Sequence, residues 1–205
     1  MISHNNKTVF IHIPKTGGTS IEQLIWPIEL GREESDLWMG FVDGFHNKYQ
    51  TGGLQHLFAS QIRQELGGEL FDDYFKFCIV RNPWSKAVSQ FKYMSGRADL
   101  RGFIGMEEGA EFKQYLSLIQ AKEHVQWAPQ FKFVFDRNGE KLVDHIGFFE
   151  NFESEVRYVA GLLGLAIDDV PHLNRADGSM DVLYDDESHE MVAHMYAQDI
   201  KCFGY

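Results

Sequence analysis

The chain has 205 residues, enough for one domain with a full hydrophobic core, and we predict a single domain over residues 1–205. Its formal net charge of −11 excludes a protein that wraps a nucleic-acid backbone, because that requires a basic face, but allows a small anionic ligand in a local positive pocket. We find no signal peptide, no apolar run of the roughly 18 residues that a membrane span needs, and no disulfide framework, since there are two cysteines, Cys78 and Cys202. We therefore expect a cytoplasmic protein.

The first predicted elements are a strand, a turn and a helix. The apolar run over residues 7–13, ended by Pro14, predicts a buried strand. A helix is predicted over residues 18–26, because Pro27 ends it. Glycines and scattered aromatic residues over residues 27–53 predict a long loop of the kind that often carries function.

The next segment repeats this order. A helix is predicted over residues 57–66, ended by the two glycines that follow, and the run FKFCIV over residues 75–80 predicts a second buried strand. Asn82 is a good N-cap and Pro83 a good first residue for a helix. Further along, we predict a loop over residues 96–109, helices over 110–120, 152–163 and 186–201, and a hairpin around 137–139.

Alternating strands and helices predict an α/β fold with a central, mainly parallel sheet. Ligands of such sheets bind at the carboxyl ends of the strands. The motifs PKTGGTS and RNPWS both follow a predicted strand, so we expect the two strands to deliver them to the same edge of the sheet.

The segment PKTGGTS has the properties of an anion-binding turn. Backbone N–H groups at a helix start bind anions, and Gly17 and Gly18 allow close approach, with Lys15 adding positive charge. Hydroxyl donors are supplied by Thr16, Thr19 and Ser20. The order differs from the nucleoside-triphosphate loop G-x-x-x-x-G-K-[ST], because here the lysine precedes the glycines.

This order resembles the 5′-phosphosulfate loop of sulfotransferases that use 3′-phosphoadenosine 5′-phosphosulfate (PAPS). The segment IVRNPWSKAVSQF is similar to their 3′-phosphate site, which the resemblance assigns to Arg81 and Ser89. HVQWAPQ, HIGFFENFESEV and YAQDIKCFGY are similar to segments of the carbohydrate branch, which includes heparan sulfate 2-O- and chondroitin-type enzymes. The resemblance implies a compact bacterial-type member with a P-loop-like three-layer fold, its central sheet flanked by helices.

The resemblance also implies a reaction. The sulfuryl group of PAPS would pass to the hydroxyl of a small-molecule or carbohydrate acceptor, without a metal. Lys15 would contact the leaving oxygen, the loop N–H groups with Thr16 and Thr19 would hold the 5′-phosphate, and Ser20 would steer Lys15. His56 is the first candidate for the general base, and His46 and His124 are the alternatives.

Two other functions stay open. Asp136 ends an apolar run, as a magnesium ligand does in a nucleotide kinase or NTPase. A non-catalytic domain that binds phosphorylated ligands would use the same pocket. Among the remaining candidates, we expect His12 to be structural, Glu22 to lie on a solvated helix face, and Trp127 and Gln130 to line the acceptor cleft. No pattern in the sequence specifies an oligomeric state.

Overall fold

The computed structural model describes residues 1–25, 56–167, 170 and 184–205. Its strands are β1 (Ile2–Ser3), β2 (Thr8–Ile11), β3 (Phe75–Val80) and β4 (His145–Phe148). They form one sheet in the order β1-β2-β3-β4, in which β1 is antiparallel to β2 and the other two pairs are parallel. The predicted α/β fold, with a central, mainly parallel sheet flanked by helices, is confirmed.

The described residues also form helices, which lie between the strands or after β4 in the chain. They are α1 (Gly18–Ile25), α2 (Ala59–Leu66), α3 (Gly68–Asp73), α4 (Pro83–Ser95), α5 (Ala98–Ile104), α6 (Phe112–Gln120), α7 (Phe131–Val134), α8 (Phe152–Leu162), α9 (Asp186–Met195) and α10 (Ala197–Phe203). Short 3₁₀ turns lie at Val125–Trp127 and Phe149–Asn151. Within the described ranges, no helix combines the length and apolarity needed to cross a membrane.

The residues group into two compact units. The first unit takes Met1–Val80 and Lys132–Asn174, and it holds the sheet with α1, α2, α3 and α8. The second unit takes Arg81–Phe131 and Arg175–Tyr205, and it holds α4, α5, α6, α9 and α10. That residues 1–205 act as one domain stays a prediction.

The core of the first unit is built on β2 and β3. Val9, Phe10 and Ile11 are fully buried, and so is the end of β3. Continuous burial is expected for parallel strands, because both faces of the sheet are covered. Phe10 lies opposite Phe77 in the register, and their rings stack with centroids 5.0 Å apart. These rings pack β2 against β3 within the core of the first unit.

The second unit has its own apolar core, in which α9 packs against α4 and α6. Aromatic rings make much of this contact, as where Phe91 meets Phe112 edge to face at 5.4 Å. The buried members are Ala87, Val88, Met94, Ile104, Met106, Phe112, Tyr115, Leu116, Ile119, Trp127, Val192 and Tyr196.

Several predicted elements are confirmed, and the differences have local causes. The strand over residues 75–80 and the cap at Asn82 are as predicted. The loop predicted over residues 96–109 is wrong in part, because it contains α5, which ends at Gly105 with φ of +75°. The sequence pattern missed β4 because its centre is Gly147, where a Cβ would lie 2.6 Å from the Cδ1 of Ile79. The loop predicted over residues 27–53 lies outside the described residues.

The predicted hairpin and the predicted last helix also need correction. The turn at 137–139 is present and is closed by an antiparallel bridge from Phe135 to Lys141, but the preceding segment is the helix α7 and not a strand. The last helix breaks at Tyr196 into α9 and α10. The hydroxyl of Tyr196 donates to the Trp127 carbonyl at 2.9 Å, a contact distant in sequence that local patterns do not reveal.

Candidate functional site

The PKTGGTS segment connects β2 to α1 in the first unit. Lys15, half-buried, has φ of +68°, a left-handed backbone conformation that costs an L-residue roughly 1–2 kcal/mol. Such strain persists only where the surroundings enforce it, and it concentrates at functional sites. The lysine is therefore held at this position by the loop as a whole.

Both glycines of the motif are required by their surroundings. Gly17 has φ of +84°, and a Cβ there would lie 2.6 Å from Cε2 of Phe152. At Gly18 a Cβ would lie 2.1 Å from both Nε2 and Cδ2 of His12. The imidazole of His12 thus occupies the space that a side chain would need if Gly18 were replaced by another residue.

The three predicted hydroxyl donors lie in different environments. Thr16 is fully buried, and its hydroxyl donates to the Ile13 carbonyl at 2.9 Å. Ser20 is buried, and its backbone N–H donates to the Gly17 carbonyl at 3.0 Å. Thr19 is exposed. The Thr16 hydroxyl therefore braces the loop.

The PKTGGTS loop is flanked by a buried, hydrogen-bonded pair, His12 and Glu22. Nδ1 of His12 lies 2.6 Å from Oε1 of Glu22, and both residues are buried. Since a carboxylate only accepts, Nδ1 carries the hydrogen. The expectation that Glu22 lies on a solvated helix face was wrong, because its carboxylate turns inward to His12. The sequence gave no signal for this pair beyond a histidine at a strand end and an acidic residue in the next helix.

His56 lies against the same histidine. Its Nδ1 donates to the His12 backbone carbonyl at 2.9 Å, and the two rings meet edge to face with centroids 4.5 Å apart. Desolvation of the ring, followed by the neighbouring His12, lowers the pKa of His56 to about 3. At neutral pH the ring is uncharged, and with Nδ1 protonated its Nε2 is the nitrogen that can accept a proton.

The two alternative bases, His124 and His46, differ from His56 in what the structure describes of them. Nδ1 of His124 accepts the backbone N–H of Gln126 at 3.1 Å, so the basic nitrogen of the neutral ring already has a donor. The ring stacks on Trp127 with centroids 4.8 Å apart, and burial lowers the pKa of His124. His46 lies outside the described residues.

In the second unit, Arg81 lies just before α4, and Ser89 lies within that helix. Arg81 follows β3 directly in the chain, and its Nε donates to the Ser85 hydroxyl at 2.9 Å. Ser89 is half-buried and lies one helical turn beyond Ser85 in α4. The Asn82 side chain caps α4 by accepting the backbone N–H of Trp84 at 3.1 Å.

Gln130, which we expected to line an acceptor cleft, is fully buried and bonds to the backbone of Arg81. Local sequence patterns could not reveal this, because the two residues are 49 positions apart. Asp136, the candidate magnesium ligand, uses its Oδ1 to accept two backbone N–H groups, those of Asn138 and Glu140, each at 2.8 Å. In the part of the chain that the structure describes, no cluster of three or more His, Cys, Asp or Glu residues could hold a metal ion.

Comparisons with known proteins identify the family of this chain. The sequence model of the Sulfotransferase family matches residues 1–205. An uncharacterized protein of Archaeoglobus fulgidus is 34% identical over 107 residues, which are 52% of this chain and 82% of that protein. The crystal structure of a sulfotransferase from Alicyclobacillus acidocaldarius has a similar fold, with a TM-score of 0.52 and 16% identity over 98% of this chain and 94% of that chain. The chain therefore belongs to the sulfotransferase family.

Proposed function

We propose that this sulfotransferase takes its sulfuryl group from PAPS and transfers it to a hydroxyl of a carbohydrate acceptor. The observation that carries the proposal is Lys15, strained and half-buried, at the entry to a turn in which both glycines are fixed by packing. A strained cationic residue beside the N-terminus of α1 suits an anionic donor, because the helix dipole and the backbone N–H groups favour negative charge there.

The proposed roles in the first unit follow from this chemistry. The backbone N–H groups of the loop, from Thr16 through Gly17 and Gly18, bind the 5′-phosphosulfate with Thr19 and Ser20. Lys15 stabilises the negative charge that develops on the bridging oxygen as the S–O bond breaks. Because the Thr16 hydroxyl braces the loop, we assign its contribution to its backbone N–H.

The proposed 3′-phosphate site is in the second unit. Arg81 and Ser89 bind the 3′-phosphate, the guanidinium through its planar fork of donors and the serine through its hydroxyl. A lysine would be a poorer choice at this position, because a guanidinium matches two phosphate oxygens at once.

The reaction needs a proton acceptor, which we assign to His56. The acceptor oxygen forms a bond to sulfur, the bond from sulfur to the 5′-phosphate oxygen breaks, and the hydroxyl proton passes to Nε2 of His56. The support for His56 over His124 is its tautomer, since the hydrogen bond to the His12 carbonyl leaves Nε2 as the basic nitrogen. We propose no metal in this reaction.

The nature of the acceptor rests on the segments HVQWAPQ, HIGFFENFESEV and YAQDIKCFGY, which resemble the carbohydrate branch of the family. We therefore propose a sugar hydroxyl as the acceptor. The two cysteines, which make no disulfide framework, support a cytoplasmic setting for the reaction. The kinase alternative loses its main support because the Asp136 carboxylate closes a turn.

The test is a transfer assay with radiolabelled PAPS in EDTA against a panel of monosaccharides, oligosaccharides and phenols. Lys15→Met should lower turnover by about 100- to 1,000-fold, because it removes charge stabilisation at the leaving oxygen. Binding of adenosine 3′,5′-bisphosphate, the desulfated product whose 5′-phosphate carries that oxygen, should also weaken, but by a smaller factor than turnover. The exposed Lys132 supplies the matched control, Lys132→Met, which should retain wild-type turnover.

Two results would contradict the proposal. Tight nucleotide binding without transfer to any acceptor would favour the non-catalytic phospholigand-binding domain. Magnesium-dependent phosphoryl transfer from ATP would favour the kinase.

A further inference from the structure

We propose that Gln130 and Ser85 are positioning residues that fix Arg81, one through its backbone and the other through its side chain, for recognition of a nucleotide 3′-phosphate. This inference rests on the proposed function, since it deepens the assignment of Arg81.

The backbone of Arg81 is fixed by a side chain. Oε1 of Gln130 accepts the Arg81 N–H at 2.9 Å, and Nε2 of Gln130 donates to the Arg81 carbonyl at 2.7 Å. Arg81 lies between the end of β3 and the start of α4, outside any helix or strand. The Gln130 amide thus gives Arg81 the pair of bonds that a neighbouring strand would otherwise supply.

Gln130 is itself held in place. It is fully buried, and its backbone N–H donates to Oδ2 of Asp199 at 2.8 Å. Oδ1 of Asp199 accepts the next backbone N–H, that of Phe131, at 2.9 Å. Asp199 is also fully buried, and burial raises the pKa of its carboxyl. The buried Asp199 carboxylate therefore holds the segment that carries Gln130 through two bonds.

The guanidinium of Arg81 is oriented by Ser85. Its Nε donates to the Ser85 hydroxyl at 2.9 Å, and that hydroxyl donates its own hydrogen to the Asn82 carbonyl at 3.0 Å. The donor and acceptor roles of the hydroxyl are therefore both defined. A guanidinium whose plane is fixed before binding loses less conformational entropy when it binds a phosphate.

The experiment measures the ratio of the AMP and adenosine 3′,5′-bisphosphate dissociation constants by calorimetry in EDTA. Both ligands share the adenosine and the 5′-phosphate, so the ratio isolates the 3′-phosphate. The variants are Gln130→Leu, which keeps much of the side-chain volume, and Ser85→Ala. Thermal unfolding of each variant is measured in parallel.

Ser188→Ala is the matched control. The buried Ser188 hydroxyl accepts the Asp185 N–H at 2.9 Å and donates to the Asp185 carbonyl at 3.0 Å, the same pair of bonds that Gln130 makes to Arg81. This variant should lower the Tm and leave the ratio unchanged.

We expect the ratio to fall by about tenfold in Ser85→Ala, the factor for losing one hydrogen bond to a charged group. In Gln130→Leu, which loses two bonds to the Arg81 backbone, it should fall by at least about tenfold. A wild-type ratio in both variants would overturn the inference and leave the proposed function standing. Should Gln130→Leu fail to fold, Ser85→Ala decides alone, because its half-buried helix position tolerates alanine. A wild-type protein that binds both nucleotides equally would overturn the proposed function, and this inference with it.

Discussion

Lys15 combines a charged side chain with a backbone conformation that favours glycine. Its φ of +68° is unfavourable for a residue with a side chain, so a lysine at this position lowers the stability of the folded loop. Residues that are strained in this way cluster at functional sites. A substitution series at this position separates the backbone cost from the chemistry.

We predict that Lys15→Gly is more stable than Lys15→Ala by about 1 kcal/mol in the free energy of unfolding, because glycine relieves the left-handed strain that alanine retains. Urea unfolding measures the difference. The same pair at Lys201, inside α10, should show the opposite order, since glycine weakens a helix interior. Equal stabilities at position 15 would contradict the strain that we describe.

His56 gives a pH-dependent contribution to stability. Its pKa is lowered from 6.5 to about 3 in the folded state, so below pH 6.5 the unfolded chain takes up a proton that the folded ring resists. The contribution is fully present above pH 6.5 and is lost as the pH falls towards 3. We predict that His56→Gln flattens the dependence of unfolding free energy on pH between 7 and 4.

Urea unfolding at several pH values tests this prediction. His194→Gln, at an exposed position of α9, is the control and should retain the wild-type slope. A wild-type slope in His56→Gln would show that the ring is not shielded from protonation.

At the scale of elements, the start of α1 is defined by packing as much as by helix propensity. The His12 ring lies where a side chain of Gly18 would be, and Glu22 of the same helix holds that ring through Nδ1. The helix, the strand end and His56 therefore share one histidine. A methyl group at Gly18 would have to displace this buried ring.

We predict that Gly18→Ala lowers the free energy of unfolding by about 1–3 kcal/mol, the usual cost of overpacking a buried site. Gly102→Ala is the matched control, because Gly102 also lies in a helix but has open space around its Cβ position. That variant should be more stable than the wild type by roughly 0.4–1 kcal/mol. A neutral or stabilising Gly18→Ala would mean that His12 does not define the turn.

Elements whose signals are local were predictable from the sequence. The strand Phe75–Val80 and the Asn82 cap follow from an apolar run and from an Asn-Pro pair. The break at Tyr196 had no local signal, and the contact that its hydroxyl makes is with Trp127, 69 positions away. The strand β4 was not predictable either, because its central glycine weakens the strand pattern while fitting the crowded space beside Ile79.

At the scale of the whole molecule, the candidate site also has a part with local sequence signals, which could be predicted, and a part that depends on contacts distant in sequence, which could not. The loop from Lys15 to Ser20 is contiguous, so its composition and order already indicate an anion. By contrast, residues that hold the candidate site in place bond to partners far away in the sequence. Gln130, for example, bonds to Arg81, 49 positions away. A single sequence contains no signal for such pairs, since each residue is unremarkable in its own segment.

The measurement that most directly tests the use of PAPS is a calorimetric titration with adenosine 3′,5′-bisphosphate in EDTA, with AMP and ATP as controls. We predict that the bisphosphate binds at least about tenfold more tightly than AMP, and that Arg81→Ala removes this preference, because a charge-assisted bond to phosphate is lost. Equal affinities for the bisphosphate and AMP would contradict the assignment of a 3′-phosphate site and, with it, PAPS as the donor.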